Sequence, residues 1–469
     1  MTRAVKVIIV AWVFGLLAAP LVAFALGVRP ANIENRTLAD APPFSLSTLG
    51  HLEAWKEAAN AFSDRLPWRD LLVQAHSAVK LEWLGDSPNP DSVILGRGGW
   101  LFLREEFDTC MWADTTPQAV VQAFDLVHAV VETSGRRFRY VIVPAKSTIE
   151  RDHYRRRSYS FETCSRDHEA ALRSLLRGQA GAIDLYPAML AGKRRGLDWW
   201  KRTDTHLDGG GELLITRRIV QSLDPTRWEP QLERLAYTTY AGDLTQMSGL
   251  PWQAPAREVV AAHRPRRPFA QPLLALGDSQ LYRLGSGLLP YFPHHTLFFF
   301  HGLDSGTIDP ASVRRARVIV VETVVRYAWT RVRDFPPQLV DALVPDLTFR
   351  PGRWIPAPGT VLDRRYGIRL KVPDVSMTVV AAGGDDDRHW RLIRLGLLQP
   401  HATDEAAAYV TDQNHAVLPN ILSSRALFGR RNVVVLAVPP RYPLRRLLVR
   451  VVAPVGSYLE PPAVATLTG

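Results

Sequence analysis

The sequence predicts an exported α/β protein built in three parts. Three observations predict it: one long apolar segment preceded by basic residues, an alternation of strand-like and amphipathic helical runs between residues 96 and 345, and a change to short β-rich runs past residue 358. At 469 residues the chain is too long for one core. Hydrophobic residues at 46% and charged residues at 22% exclude wholesale disorder. The 35 Pro and 31 Gly, spread throughout, argue against a long coiled coil or a helical solenoid. A single segment able to span a bilayer excludes a channel or a transporter.

That segment covers residues 7–28 and follows Arg3 and Lys6. Its length as a helix is roughly 33 Å, enough for the hydrocarbon core. Basic residues before it predict a cytoplasmic N-terminus and an exported remainder, single-pass at the cytoplasmic membrane with the bulk periplasmic or extracytoplasmic. A cleaved signal peptide is the rival reading, since Ala23-Phe24-Ala25 fits a small-x-small site. The run exceeds a usual signal core, which favours an uncleaved anchor. Cys110 and Cys164 both lie in the exported portion, where a disulfide persists, although two buried thiols would give the same sequence.

Beyond the anchor (1–30), residues 31–95 read as mainly helical, with apolar residues at helical spacing over 51–61 and 71–84 and a break at Pro67. Residues 96–345 carry strand-like runs at 140–143, 273–276 and 318–321, alternating with helical stretches such as 118–133 and 212–223. This is the mark of a largely parallel sheet flanked by helices. A Pro-rich linker is expected at 346–358. Residues 359–469 then read as a β-sandwich, with runs at 367–372, 377–382, 390–398, 433–438 and 447–452, and with a helical insertion left open around 405–409.

Net charge is +11, and the isoelectric point is near 9.8. The basic residues are scattered, with denser groups at 155–157, 263–267 and 430–431. No zinc-finger spacing or RNA-recognition signature accompanies them, so nucleic acid is not expected as a partner. A membrane surface or an acidic polymer suits the charge better.

Three constellations in the middle part carry chemistry. In the first, the strand 273–276 runs into Gly277-Asp278-Ser279, with a helix expected from Leu281. Ser279 then sits at the C-terminal edge of a strand and at a helix N-terminus, where ligands bind in open α/β sheets and negative charge is favoured. A turn with an N-cap explains the tripeptide equally. The second is Thr203-Asp204-Thr205-His206, in which residues i and i+2 share a side, so Asp204 can hold the Nδ1 proton of His206 and leave Nε2 as a base. An N-capping Asp beside a surface His is the bland alternative. The third is the strand 140–143 followed by Pro144-Ala145-Lys146-Ser147, which puts a cation at the sheet edge, either lining the site or simply structural.

Together these motifs resemble the exported SGNH-hydrolase-like O-acetyltransferases of bacterial exopolysaccharide systems, typified by the alginate acetylation proteins. Glu34-Asn35-Arg36 is similar to the family's opening, Gly96-Arg97-Gly98-Gly99-Trp100-Leu101-Phe102 to its Gly-x-x-Gly-Trp-Leu-Phe signature, and Pro144-Ala145-Lys146-Ser147 to its Pro-x-Lys-Ser. Thr203 to His206 resembles its Thr-Asp-Thr-His, Gly277-Asp278-Ser279 its nucleophile turn, and the run from Val321 and Glu322 to Arg326 its closing strand. The resemblance covers roughly residues 32–330. It implies a flavodoxin-like sheet in a circularly permuted order, because Asp204 and His206 precede Ser279 here. Leu207 stands where the family usually has Trp.

The resemblance further implies that His206, oriented by Asp204, deprotonates Ser279, and that Ser279 carries an acetyl group to a polysaccharide hydroxyl. A membrane-bound O-acyltransferase would supply the acetyl group. The Ser279 N–H would be one oxyanion donor. Lys146, Arg326, Trp199 and Trp200 are the candidate substrate-binding residues, the two tryptophans as a sugar-stacking wall or as core. The C-terminal part is expected to bind carbohydrate. Neither a catalytic metal nor a cofactor is expected, a calcium site at Asp385-Asp386-Asp387 being weighed against a solvated turn. The alternatives are a silent scaffold of a polysaccharide export complex and a carbohydrate deacetylase or esterase.

Overall fold

The computed structural model describes the chain apart from residues 1–2, 32–37, 41–49, 112–114, 156–161, 231–232, 251, 262, 301–305, 356–359, 364–366, 372–373, 382–387, 399–406, 412–422, 429–430, 441–447, 456 and 469. The Glu34-Asn35-Arg36 motif, Arg156, Arg157, Arg430 and the Asp385–Asp387 run lie outside the described residues.

Helix α1 (Arg3–Ala25) is long and apolar enough to cross a membrane. Helices α2 (Leu52–Asp64) and α3 (Arg69–Ala78) follow, and α3 continues into one π turn, Val79–Trp83. Leu81 packs beneath the hairpin of β1 (Val93–Leu95) and β2 (Leu101–Leu103), so the helical segment is fastened to the centre of the chain. Gly98 and Gly99 form that hairpin's turn at φ +61° and +77°, a conformation that side chains with a Cβ rarely adopt.

The central part runs α4 (Pro117–Thr133), β3 (Arg137–Val143), α5 (Lys146–Ile149), α6 (Glu162–Leu176), β4 (Ala182–Ile183), α7 (Tyr186–Lys193), α8 (Gly209–Leu223), β5 (Glu233–Ala241), α9 (Asp243–Met247), β6 (Gln253–Ala261), β7 (Leu273–Gly277), α10 (Ser279–Leu288), β8 (His295–Phe299), α11 (Pro310–Arg315), β9 (Val318–Val324) and α12 (Val325–Leu343). Five of the strands form a parallel sheet in the order β4-β3-β9-β7-β8. The last of them in the chain, β9, lies at the centre, and all seven of its residues are buried. A parallel strand covered on both faces must be apolar throughout, and Val318 to Val321 are.

Side-chain alternation divides the core in two. Phe138, Tyr140 and Ile142 of β3, with Leu274 and Leu276 of β7, meet α4 and α12 on one face. Val141, Val143, Leu273 and Ala275 meet α8 and α10 on the other. Helix α4 buries Val120, Phe124, Val127 and Val131, a stripe at helical spacing. Thr116 caps it, its Oγ1 accepting the Ala119 amide at 3.2 Å, and Pro117 starts it.

The C-terminal region comprises β10 (Arg350–Ile355), β11 (Thr360–Asp363), β12 (Gly367–Leu370), β13 (Asp374–Ala381), β14 (Arg391–Leu398), β15 (Ala407–Thr411), β16 (Ser423–Phe428), β17 (Arg431–Val438), β18 (Leu448–Val452), β19 (Tyr458–Leu459) and β20 (Ala463–Thr466). Every pairing is antiparallel. One departure from expectation appears, and one open point closes. Residues 350–355, inside the expected linker, form a strand that pairs with both β13 and β20 and so joins two halves of one continuous sheet. Near 405–409, where a helical insertion was open, the described residues form β15. Nor is this region a separate bead: Trp390, Leu392 and Ala437 belong to the same core cluster as α4 and α12, and Trp390 Nε1 donates to Asp125 at 2.7 Å.

Cys110 and Cys164 are disulfide-bonded, tying the turn before α4 to α6. Closing a loop of 54 residues restricts the unfolded chain by about 4 kcal/mol on the chain-entropy model. Replacing both cysteines by serine is expected to lower unfolding stability by about 2–4 kcal/mol in denaturant melts, and an unchanged midpoint would contradict that contribution.

Candidate active site

The segment between α7 and α8 is a pinched loop. Trp200 bridges Leu207, Lys201 N donates to His206 O at 3.1 Å, and Asp208 N donates to Trp199 O at 2.9 Å. Glu150 Oε1 accepts the amides of Trp199 and Trp200 at 2.7 and 3.3 Å. At the tip, Asp204 Oδ1 takes both the His206 backbone N–H (2.9 Å) and His206 Nδ1 (2.5 Å). That bond fixes the imidazole so that Nε2 is free to act. Burial works to raise the Asp204 carboxyl, but the hydrogen bonds and charge of His206 prevail and hold it well below the usual carboxylate range.

Ser279 opens α10 at the C-terminal end of β7 and is exposed. Asp278 caps the helix: Oδ1 accepts Gln280 N at 2.9 Å, while Oδ2 accepts Val324 N at 2.8 Å and ties the bend to the end of β9. Gly277 is required there, since a Cβ would lie 2.6 Å from Leu281 Cβ and 2.8 Å from Glu322 Oε2. The Ser279 amide is among the first of the helix, which lack intrahelical carbonyl partners and carry the positive end of the dipole.

The side chain of Gln280 joins the two halves of the site. Its Oε1 accepts Leu207 N at 3.1 Å and its Nε2 donates to Thr205 O at 2.9 Å, so the amide clasps the backbone on either side of His206. The residue next to Ser279 is thereby locked to both neighbours of His206. Among the described residues no hydrogen bond joins Ser279 to His206, a contact that in apo sites is often long and tightens with substrate.

A second carboxylate stands behind the pair. Asp243 Oδ1 accepts Thr205 N at 2.8 Å, Oδ2 accepts Thr205 Oγ1, and Oδ2 lies 3.7 Å from His206 Nδ1. Burial first, then the charge of Asp204, pushes the Asp243 carboxyl up. It reaches the loop because Gly242 lies against Thr203, where a Cβ would be 2.0 Å from the Thr203 carbonyl oxygen. Asp204, His206 and Asp243 are close enough to share a cation, but Asp204 Oδ1 and both Asp243 oxygens are already engaged by protein N–H and O–H groups.

The four expected substrate-binding residues are all buried, Trp200 in the wall of a cleft beside the loop. Lys146 is fully buried, and its Nζ lies 2.7–3.0 Å from the carbonyl oxygens of Leu101, Lys201, Arg202 and Asp204, so it gathers the loop and does not face a substrate. Burial lowers its pKa to about 8 against the pull of Glu106 and Asp204. Arg326 is buried between Glu105 (3.4 Å) and Glu106 (3.8 Å), bracing the turn after β2. Trp200 is buried. Trp199 donates to Met189 O at 2.7 Å and packs on Gly192, where a Cβ would be 2.1 Å from its ring. Both tryptophans are core.

Sequence reasoning missed Asp243, Gln280 and the β5–β6 hairpin that delivers Asp243. Signals existed in the Gly242-Asp243 pair at a helix start and in the alternating pattern of 233–241, but nothing in them names His206 as the target.

A dyad on a loop between helices, clasped through Gln280 to a strand-to-helix bend that carries a serine at the C-terminal edge of a parallel sheet, is the arrangement of the SGNH-hydrolase-like class. Residues 93–279 match the family described as the SGNH hydrolase-like domain of the acetyltransferase AlgX, from the first residue of β1 to Ser279. The family that the motifs resemble is the one whose model residues 93–279 match, under half of the chain. No curated protein matches. Among solved structures the chain is similar to the O-acetyltransferase domain of Pseudomonas putida AlgJ (22% identity, 54% of this chain and 98% of that one, TM-score 0.40). It is also similar to Pseudomonas aeruginosa AlgX (12%, 80% and 94%, 0.39) and Bacillus cereus PatB1 (10%, 51% and 98%, 0.37).

Glu212, buried beneath the loop, has its pKa pushed up to about 7 by burial against the pull of Lys201 and Arg283. The folded state then binds this proton more tightly than the unfolded one, so Glu212 costs stability as pH rises from about 4.5 to 7, by roughly 3 kcal/mol in all. Relative to the parent chain, Glu212→Gln should gain stability progressively across that window, as read from denaturant midpoints. A constant difference between the two from pH 4 to 8 would contradict the shift.

Proposed function

We propose that the protein is an exported O-acetyltransferase that modifies hydroxyls of a polysaccharide through an acetyl-serine intermediate. His206 Nε2 takes the proton of Ser279 Oγ as Oγ attacks the carbonyl carbon of an acetyl donor. The Ser279 N–H steadies the oxyanion, and the leaving group departs with the proton from His206. A sugar hydroxyl, deprotonated in turn by His206, then takes the acetyl group and restores Ser279. Asp204 holds the imidazole in one tautomer throughout.

The observation that carries this reading is the clasp of Gln280 on Thr205 and Leu207, which holds the helix start bearing Ser279 against the Asp204–His206 loop. The match of residues 93–279 to an acetyltransferase family favours transfer over hydrolysis. A cleft of about 290 Å³ against the same loop is lined by Trp200, Arg202 and the exposed Tyr237 together with Arg257 and Asp208, which pair at 2.7 Å, a mixed polar and aromatic lining suited to a glycan. Helix α1 would anchor the chain in the cytoplasmic membrane with the site outside, where a membrane-bound O-acyltransferase would supply the acetyl group, and the C-terminal β region would hold the polymer.

Ser279→Ala should abolish acetyl transfer to an acetylated-polymer oligosaccharide while leaving the melting temperature unchanged, and undiminished transfer would sink the nucleophile assignment. Asp204→Asn should lower kcat by about 10²–10⁴, since the wrong tautomer is then held. Acetate released to water, with none transferred to sugar, would make the protein an esterase.

A further inference from the structure

Helix α3 and the π turn after it are amphipathic in an unusual sense: the apolar stripe faces out. The helix packs inward through Val73, whose methyl abuts Gly249, through buried Ser77, and through Leu81 beneath the β1–β2 hairpin. The opposite side carries Trp68, Leu71, Leu72, Val79, Trp83 and Leu84, all exposed, with Leu72 at 64% and Trp83 at 82%. Leu71, Leu72, Val79 and Trp83, at successive steps of one, seven and four residues, fall on one arc, and Trp68 is exposed at the helix N-cap. Glu82 lies within the arc and Arg69 and Lys80 flank it. Helix α2 adds exposed Leu52 and Trp55. Trp68 has positive φ (63°), alone among the described non-glycine residues, so an indole is displayed here at a cost in backbone strain.

A patch of this size on a water-facing surface calls for a cover, and its place beside α1 indicates which. The end of α1 is docked on these helices: Phe24 stacks edge-on against Phe62 at 5.3 Å, and Ala23 is buried. Six residues past α1, the Ala31 amide reaches Asp70 in the first turn of α3 at 3.4 Å. Six residues span at most about 20 Å, so if α1 crosses a bilayer the start of α3 lies at its outer boundary. Tryptophans with leucines beside a span, flanked by basic residues, are the composition that settles in the headgroup region.

We infer that the α3 face bearing Trp68, Leu72, Val79 and Trp83 lies in the outer interface of the lipid bilayer that α1 spans. The inference rests on the anchor reading of α1. Because Leu81 fastens α3 to the β1–β2 hairpin, whose Leu101 carbonyl is held by Lys146, seating α3 also fixes the height of the active site above the membrane.

The test uses the full-length chain reconstituted in phosphatidylcholine–phosphatidylglycerol vesicles, with one nitroxide label per variant at Trp12→Cys, Leu72→Cys, Trp83→Cys or Arg217→Cys, and with oxygen and a water-soluble nickel chelate as competing relaxants. Labels at 12, 72 and 83 are expected to be relaxed more by oxygen, and the label at 217, on the solvent side of α8, more by the chelate. If 12 reports hydrocarbon while 72 and 83 behave like 217, the anchor stands and the surface assignment is overturned. If 12 also behaves like 217, the anchor reading itself fails. Spin–spin broadening at 72 and 83 without oxygen preference would show a second copy covering the face and would equally overturn the assignment.

Discussion

One buried ammonium organises the candidate site. Lys146 has no solvent contact, and its ammonium is solvated by the converging carbonyl oxygens of Leu101, Lys201, Arg202 and Asp204. A carbonyl left in the interior without a donor costs about 1–3 kcal/mol, so the ammonium stabilises the convergence of these four, of which Arg202 O also takes the Leu101 amide at 3.0 Å. That cation arrives from the end of β3 at the sheet's C-terminal edge. The position of the Asp204–His206 loop is therefore set by the sheet, through Lys146 below and Gln280 beside it. The serine is set by the same sheet through Asp278, which joins the ends of β7 and β9.

The two carboxylates near His206 are pushed in opposite directions. Asp204 receives hydrogen bonds from the imidazole and from the His206 amide and stays ionised. Asp243, buried and near that negative charge, is raised, and its oxygens are turned onto Thr205. One acid can thus serve the imidazole while the other steadies the turn that presents it. Neighbouring acids whose environments drive their pKa values apart are a recurring feature of acid–base sites.

Much of the central fold was legible because its signals are local. Apolar runs at 140–143, 273–276 and 318–321 had to be buried strands, and the alternation with amphipathic stretches had to be a covered parallel sheet. The pairing of Asp204 with His206 was legible because two residues of spacing suffice to bring them together. What failed was the assignment of long polar and aromatic side chains to the substrate. Sequence places Lys146, Arg326, Trp199 and Trp200 near the edge of the sheet but cannot tell which way they point, and all four turn inward. Asp243 and Gln280 were missed for the same reason, since their partners are 38 and 75 residues away in the chain. The linker expected at 346–358 misled because Pro is tolerated in strands at positions that donate no hydrogen bond, as Pro351 is in β10.

The central claim is that Ser279 and His206 act on one acyl group. Brief exposure of the full-length protein to p-nitrophenyl acetate, followed by acid quench and peptide mass mapping, tests it most directly. The account predicts one acetyl group on the peptide containing Ser279, and its loss in His206→Ala with the fold retained. Labelling of Ser279 undiminished by that substitution, or an acetyl group found only elsewhere, would contradict it.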